Sequence, residues 1–288
     1  MKNHAALIGT VINRQTETYG VKDAILYALA VGVGADAVDP KQLPYVYEEP
    51  ALQTLPTLAL VIAYPGFWMR DPQYGFTWQQ VLHAEEALEI HEPLPPSGTV
   101  SGETIIEDVV DRGADKGCFV YLKKELRSVD GKTLYATVRS NTLARADGGF
   151  GGKSQARPAP PAPPERAPDQ ICDLTTNFNQ ALLYRLCGDM NPLHADPAVA
   201  TGAGFARPIL HGRCTLGVAM HAILKSCCDY DARRMKTLNV RFSSPVLPGE
   251  TLRTEIWNED GIAYFRTSVL ERNVVVLNNG SARVAPRG

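Results

Sequence analysis

Asp189, Asn191, His194 and Asp196 fall within the stretch RLCGDMNPLHADP, residues 185–197, at a bend marked by Gly188, Pro192 and Pro197. Three chemistries compete for such a cluster. The first is helix capping. Asn191-Pro192 and Asp196-Pro197 each set a short acceptor side chain before a proline, a pairing that starts helical turns. The second is metal binding, because D-x-N-x-x-H-x-D offers several ligand types. A calcium loop, however, needs glycine at its sixth position and glutamate at its twelfth, and here His194 and Ala200 stand there. Zinc would want further His or Cys nearby, and there is no H-x-x-x-H. No metal is expected. The third is acid–base chemistry. Asp189 and His194 precede no proline and are hemmed in by apolar Leu186, Met190 and Leu193. A carboxyl and an imidazole converging on one water could deprotonate it and protonate a carbon.

That third chemistry needs a donor for an enolate oxygen. Gly212, in the segment ILHGRC, falls where a buried helix should begin. Backbone N–H groups there lack partners within the helix, and the helix dipole favours negative charge. His211 beside it is read as structural.

Several elements must position these groups. Residues 211–228 repeat Leu216, Ala219, Met220, Ile223, Leu224 and Cys227 at steps of three and four, which predicts a helix with one buried stripe. Gly217, Ala219 and Ala222 should let a sheet approach it. Residues 178–188 predict a short helix stopped at Gly188, and residues 21–34 predict another, ended by glycine. Residues 87–105 can be laid on 237–256, so that Leu88 and Ile90 match Val240 and Phe242 and Pro93 matches Pro245. Each stretch reads as strand, Pro-Gly turn, strand, and further strands follow both. The chain is thus an α+β protein of two related halves, each a helical portion followed by an antiparallel meander. The proline-rich run Arg157–Pro168 separates them, with the glycine-rich DGGFGGKSQ before it read as flexible. The expected division is 1–150, a linker at 151–168, and 169–288.

The bulk numbers suit one large domain or two ordinary ones with a real core. The chain has 288 residues, 44% of them hydrophobic, and a net charge of −2. That balance excludes a general electrostatic grip on nucleic acid or an anionic membrane. No apolar run reaches membrane-span length, and no secretion signal or peroxisomal SKL-type ending is read, so a cytoplasmic location is expected. Cys118, Cys172, Cys187, Cys214, Cys227 and Cys228 form no C-x-x-C pair and are expected as free thiols.

The segments YRLCGDMNPLHADP and GFARPILHG, at their spacing, resemble the hydratase motif of the MaoC-like family, and in particular its (R)-specific 2-enoyl-CoA hydratase type, hydratase 2. The pieces YGVKDAILYALAVG and EIHEPLPPSG resemble the N-terminal half of that type. The resemblance implies a double hot-dog fold, in which an antiparallel sheet wraps a helix twice over. The second unit would be catalytic, and the helix of the first would be degraded to make room for an acyl tail. It implies reversible hydration of a trans-2-enoyl-CoA to a (3R)-3-hydroxyacyl-CoA, with no cofactor, CoA being part of the substrate. Asp189 and His194 would share the activated water, Asp189 would protonate the α-carbon, Asn191 would orient them, and the Gly212 N–H would hold the thioester oxygen. Cys187 departs from the small hydroxyl residue usual in the motif and is read as a tolerated side chain, not a nucleophile. A homodimer is implied as well. The alternatives are a hot-dog thioesterase, which would lack this Asp-Asn-His loop, and a non-catalytic acyl-CoA-binding subunit. Arg185, Arg207, Arg213 and Arg241 are candidates for CoA phosphates. The aromatic segment 64–80 lines a tail pocket or is an ordinary packed loop. A roomy first half would admit long, branched or steroid side-chain acyl groups.

Overall fold

A computed structural model describes residues 3–152, 155–158 and 160–287; Lys153, Ser154 and Ala159 of the expected linker lie outside them. Ten strands form one antiparallel sheet. The first half supplies β1 (Val11–Tyr19), β2 (Val81–Ile90), β3 (Gly98–Asp111), β4 (Cys118–Ser128) and β5 (Leu134–Ala144). The second supplies β6 (Gln170–Thr175), β7 (Met235–Phe242), β8 (Thr251–Glu259), β9 (Ile262–Val269) and β10 (Val274–Val284). Across the sheet the order is β1-β3-β4-β5-β2-β7-β10-β9-β8-β6. Each half therefore places its first strand at an outer edge and its second at the centre. The two central strands pair directly, with Glu86 opposite Val240 and Leu88 opposite Leu238. The repeat read from 87–105 and 237–256 is thus a repeat of structure, and its two copies meet at the seam.

The helical portions differ between the halves. In the second, α3 (Gln180–Arg185) and α4 (Pro197–Gly202) lead into α5 (Gly212–Cys227). Every residue of α5 from Cys214 to Leu224 is buried, so the helix is covered all round rather than along one stripe. The sheet supplies Leu238, Val240, Ile256, Phe265 and Leu277 to the core around it. The cover on its other side explains Gly217. A Cβ there would sit 2.4 Å from Val31 Cγ1, so this glycine admits the end of α1 (Val21–Ala30) rather than the sheet. In the first half a four-residue α2 (Leu43–Val46) is followed before β2 by 3-10 turns alone, the buried Pro56–Leu60 and then Trp68–Arg70 and Trp78–Gln80, where the second half has α5 before β7.

The Pro56–Leu60 turn is fixed from beneath. Lys124 on β4, itself buried, donates from Nζ to the carbonyls of Ala59 at 2.9 Å, Leu60 at 3.4 Å and Ile62 at 2.7 Å. Carbonyls at the end of a helical turn lack partners within it, and the ammonium satisfies three at once.

Residues 147–152 of the glycine-rich stretch, expected as flexible, are anchored. Asp147 accepts from Thr77 N and Oγ1, and the Asp111 carboxylate accepts from Gly149 N at 2.7 Å and Gly151 N at 2.6 Å. Gly148 between them admits no side chain, because a Cβ there would lie 2.3 Å from the Gly113 carbonyl oxygen.

Candidate active site

Gly188, with φ +128°, turns the chain out of the segment after α3 and delivers Asp189 to a cavity between the halves. Two caps then shape the loop, as the X-Pro pairs predict. Asn191 Oδ1 accepts from Leu193 N at 3.1 Å, and Asp196 Oδ1 accepts from Ala198 N at 2.8 Å. Asn191 N in turn donates to Asp189 Oδ1 at 3.2 Å. Asp196 stays exposed in its capping role, away from the cavity lining.

His194 lies on the 3-10 turn Pro192–His194 and is buried. Its Nδ1 is 2.8 Å from the Ile209 carbonyl. A carbonyl only accepts, so the neutral ring carries its proton on Nδ1 and keeps a lone pair on Nε2. Burial lowers the pKa of His194, which keeps the ring neutral and basic around pH 7.

His211 does more than cap α5. Its Nε2 donates to the Asp189 carbonyl at 3.1 Å, and its ring stacks on His194 with centroids 3.7 Å apart. The Tyr184 ring lies tilted against His211, with centroids 4.9 Å apart. Burial first, and the neighbouring His194 second, push the His211 pKa down to about 3. This histidine thus fixes the loop backbone and the plane of the ring beside it. One ligand-type atom from each of Asp189, His194 and His211 lies within 4.8 Å of the others. Gly212 opens α5 on the same cavity, and a Cβ there would come 3.3 Å from Phe242 Cε1.

The cavity holds roughly 780 Å³ and runs from this loop along the first half. Of the four arginines that are candidates for CoA phosphates, Arg241 lines it from an exposed position on β7, while Arg185 and Arg207 are not among its lining residues. Arg213 reaches its wall but is already engaged. Its guanidinium grips the Glu86 carboxylate (Nε–Oε2 2.9 Å, Nη2–Oε1 3.2 Å) and lies 4.6 Å from the centre of the Tyr64 ring. A phosphate role for Arg213 does not suit a cation that is compensated inside the fold. Arg112 and Arg145, from the first half, also line the cavity. Nothing in their sequence context distinguishes them. The aromatic segment 64–80 does both: Tyr64 lines the cavity, Tyr74 and Phe76 pack with Ile106 and Val120 in a second core, and Phe67, Trp68 and Met69 line the cavity while packing with that core. Cys187, on the turn before Gly188, is half-buried. Burial pushes its thiol up to about 12.

An antiparallel sheet of two five-strand halves that meet at a central seam, wrapped around helical segments, defines a double hot-dog fold. Comparison with known proteins places it further. Residues 18–145 match the MFE-2 hydratase 2 N-terminal domain, and residues 160–279 match the MaoC like domain. The chain is 39% identical over 97% of its length to the peroxisomal multifunctional enzyme type 2 of Mus musculus, of which it spans only 38%. It is also 39% identical to the 3-hydroxyacyl-thioester dehydratase Y of Mycobacterium tuberculosis, over 91% of this chain and 90% of that one. The crystal structure of a MaoC-like dehydratase from Phytophthora capsici superposes over the whole of both chains with a TM-score of 0.87 at 32% identity. The chain belongs to the MaoC-like dehydratase family in its two-part hydratase 2 form, and is a hydro-lyase.

Proposed function

We propose that the protein catalyses the reversible hydration of a trans-2-enoyl-CoA to the (3R)-3-hydroxyacyl-CoA. The observation that carries this reading is the convergence of Asp189, His194 and the first turn of α5 on one cavity. The enoyl thioester lies with its carbonyl oxygen at the Gly212 N–H, where charge develops as C3 is attacked. Water is held between the Asp189 carboxyl and His194 Nε2. As its oxygen bonds to C3, one of its protons passes to this pair. The pair returns one proton, from Asp189, to C2, and ends as it began. Asn191 holds the Asp189 carboxyl through its backbone N–H and caps the turn that carries His194. The acyl chain follows the cavity into the first half, past Tyr64 and Leu122. Arg241, Arg112 and Arg145 line the same space and are available to phosphate groups of the CoA.

Asp189→Asn and His194→Gln test the assignment. Each should lower kcat by about 1,000-fold or more while circular dichroism and the melting midpoint stay near those of the native protein. Retained activity in either variant overturns the dyad. An (S) product from a trans-2-enoyl-CoA overturns the stereochemistry.

A further inference from the structure

Glu86 is the most completely buried acid of the molecule that the proposed chemistry does not use. It stands on β2 at the seam, and its side chain has no exposed surface. Burying a carboxylate is costly unless it is paired and hydrogen-bonded. Glu86 is paired with Arg213 through a two-point fork, and His83 Nε2 lies 2.8 Å from its Oε2. Burial alone would raise its pKa, but Arg213 and then His83 outweigh that and hold it at about 2.

The contacts continue. The His83 ring packs against Phe242 with centroids 4.5 Å apart, and the Phe242 ring lies against Gly212. Arg213 follows Gly212 in the chain. A closed circuit therefore runs Gly212, Arg213, Glu86, His83, Phe242 and back to Gly212. Three of its members come from the second half and two from the first. Arg213 also reaches the Leu60 carbonyl at 3.5 Å and the face of Tyr64, so the same guanidinium holds the end of the 3-10 turn and a cavity wall. His83, Phe242, Gly212 and Arg213 line the cavity, whereas Glu86 stands behind it.

We propose that Glu86 is a positioning residue for the hydration reaction. Through the Arg213 fork and the His83–Phe242 contact, this acid of the first half sets where the Gly212 N–H points. A two-point charged fork constrains angle as well as distance, which an apolar contact of equal stability does not. The inference rests on the reading of Gly212 as the oxyanion donor. It extends that reading by making the non-catalytic half part of the donor's geometry.

The test compares the native protein with Glu86→Gln and with the double variant Glu86→Leu/Arg213→Leu. The readouts are kcat and KM for a short trans-2-enoyl-CoA, the melting midpoint, and the infrared carbonyl stretch of bound butanoyl-CoA labelled with 13C at the thioester carbon. Glu86→Gln should lower kcat by about 10- to 100-fold with KM nearly unchanged, and return the carbonyl stretch toward its free value. The double variant removes both charges, so its melting midpoint should recover while kcat and the carbonyl shift do not. A native kcat and carbonyl shift in Glu86→Gln would overturn the proposal. So would a double variant that regains kcat along with stability, since the pair would then be scaffolding only. A native complex with no carbonyl shift at all would overturn the hydration reading, and this one with it.

Discussion

The two halves share a strand order and differ in what they keep between their first two strands. The second half has the sixteen-residue α5 before β7, while the first has only 3-10 turns, Pro56–Leu60 among them, between α2 and β2. The difference separates two uses of helix ends. In the second half the helix start faces the cavity with N–H groups that have no partner within the helix, which suits a developing negative charge. In the first half the carbonyls at the end of the Pro56–Leu60 turn accept hydrogen bonds from Lys124, and the cavity runs along this half from Tyr64 onward. The two halves thus repeat one strand scaffold. The proposed chemistry uses the helix start of the second, and the proposed acyl path runs along the first.

The sharpest way to break this comparison is at Gly212. Proline at the first helical position is tolerated, because the N–H it lacks has no partner within the helix. Gly212→Pro therefore removes the proposed donor with little harm to α5, and kcat should fall by about 100- to 1,000-fold. Gly212→Ala is the control. It keeps the N–H and adds only a Cβ, 3.3 Å from the Phe242 ring edge, which a small ring movement relieves. Its kcat should remain within about tenfold of native. Equal losses in both variants would assign the effect to crowding against Phe242 and remove Gly212 from the mechanism.

Much of this contrast between the halves is legible in the amino-acid sequence. The helix expected over 211–228 forms over Gly212–Cys227, and the strand-turn-strand repeat is the pair of central strands with those that follow them. Both are local patterns, set by spacing along the chain. The caps at Asn191 and Asp196 are legible for the same reason. The engagement of Arg213 is not, because its partner Glu86 lies 127 residues away and no periodicity in either segment advertises the pair. The structural place of His211 is legible, but its stacking on His194 depends on how the loop folds back over fifteen residues to Ile209. The all-round burial of α5 is hidden too. Its outer cover comes from α1 and the 56–63 segment, and neither announces its docking in sequence.

The next effect belongs to the first half alone. Lys124→Met keeps most of the side-chain volume but leaves the carbonyls of Ala59, Leu60 and Ile62 without their shared donor. Leaving buried acceptors unpaired should cost about 2–3 kcal/mol in urea unfolding. Because Arg213 also reaches Leu60, KM for long acyl chains should rise more than KM for short ones. A variant of native stability would mean that another donor holds the turn.

Acid should act mainly on the second half. His211 has a folded pKa of about 3 against an ordinary 6.5, and burial lowers His194 and His221 in the same direction. Such a histidine stays neutral when folded and takes a proton when unfolded. Its contribution is complete above pH 6.5 and is lost as pH falls from there toward about 3. Each strongly shifted histidine should remove about 1 kcal/mol per pH unit in that window, and His211→Phe should flatten the decline seen by urea titration. An unchanged slope in that variant would place the acid sensitivity elsewhere.

The smallest expected effect is that of chelation. Asp189, His194 and His211 approach closely enough to hold a cation, so the absence of a metal role needs its own test. His194 Nδ1 and His211 Nε2 are already committed to backbone carbonyls. An ion held by all three residues would therefore take His211 Nδ1, which has no hydrogen-bond partner, and His194 Nε2, the nitrogen assigned to the water. EDTA should leave the hydration rate unchanged, and added zinc should inhibit until chelated. A rate that EDTA abolishes and a single ion restores would make the cation the activator of water, and His194 its ligand rather than the base.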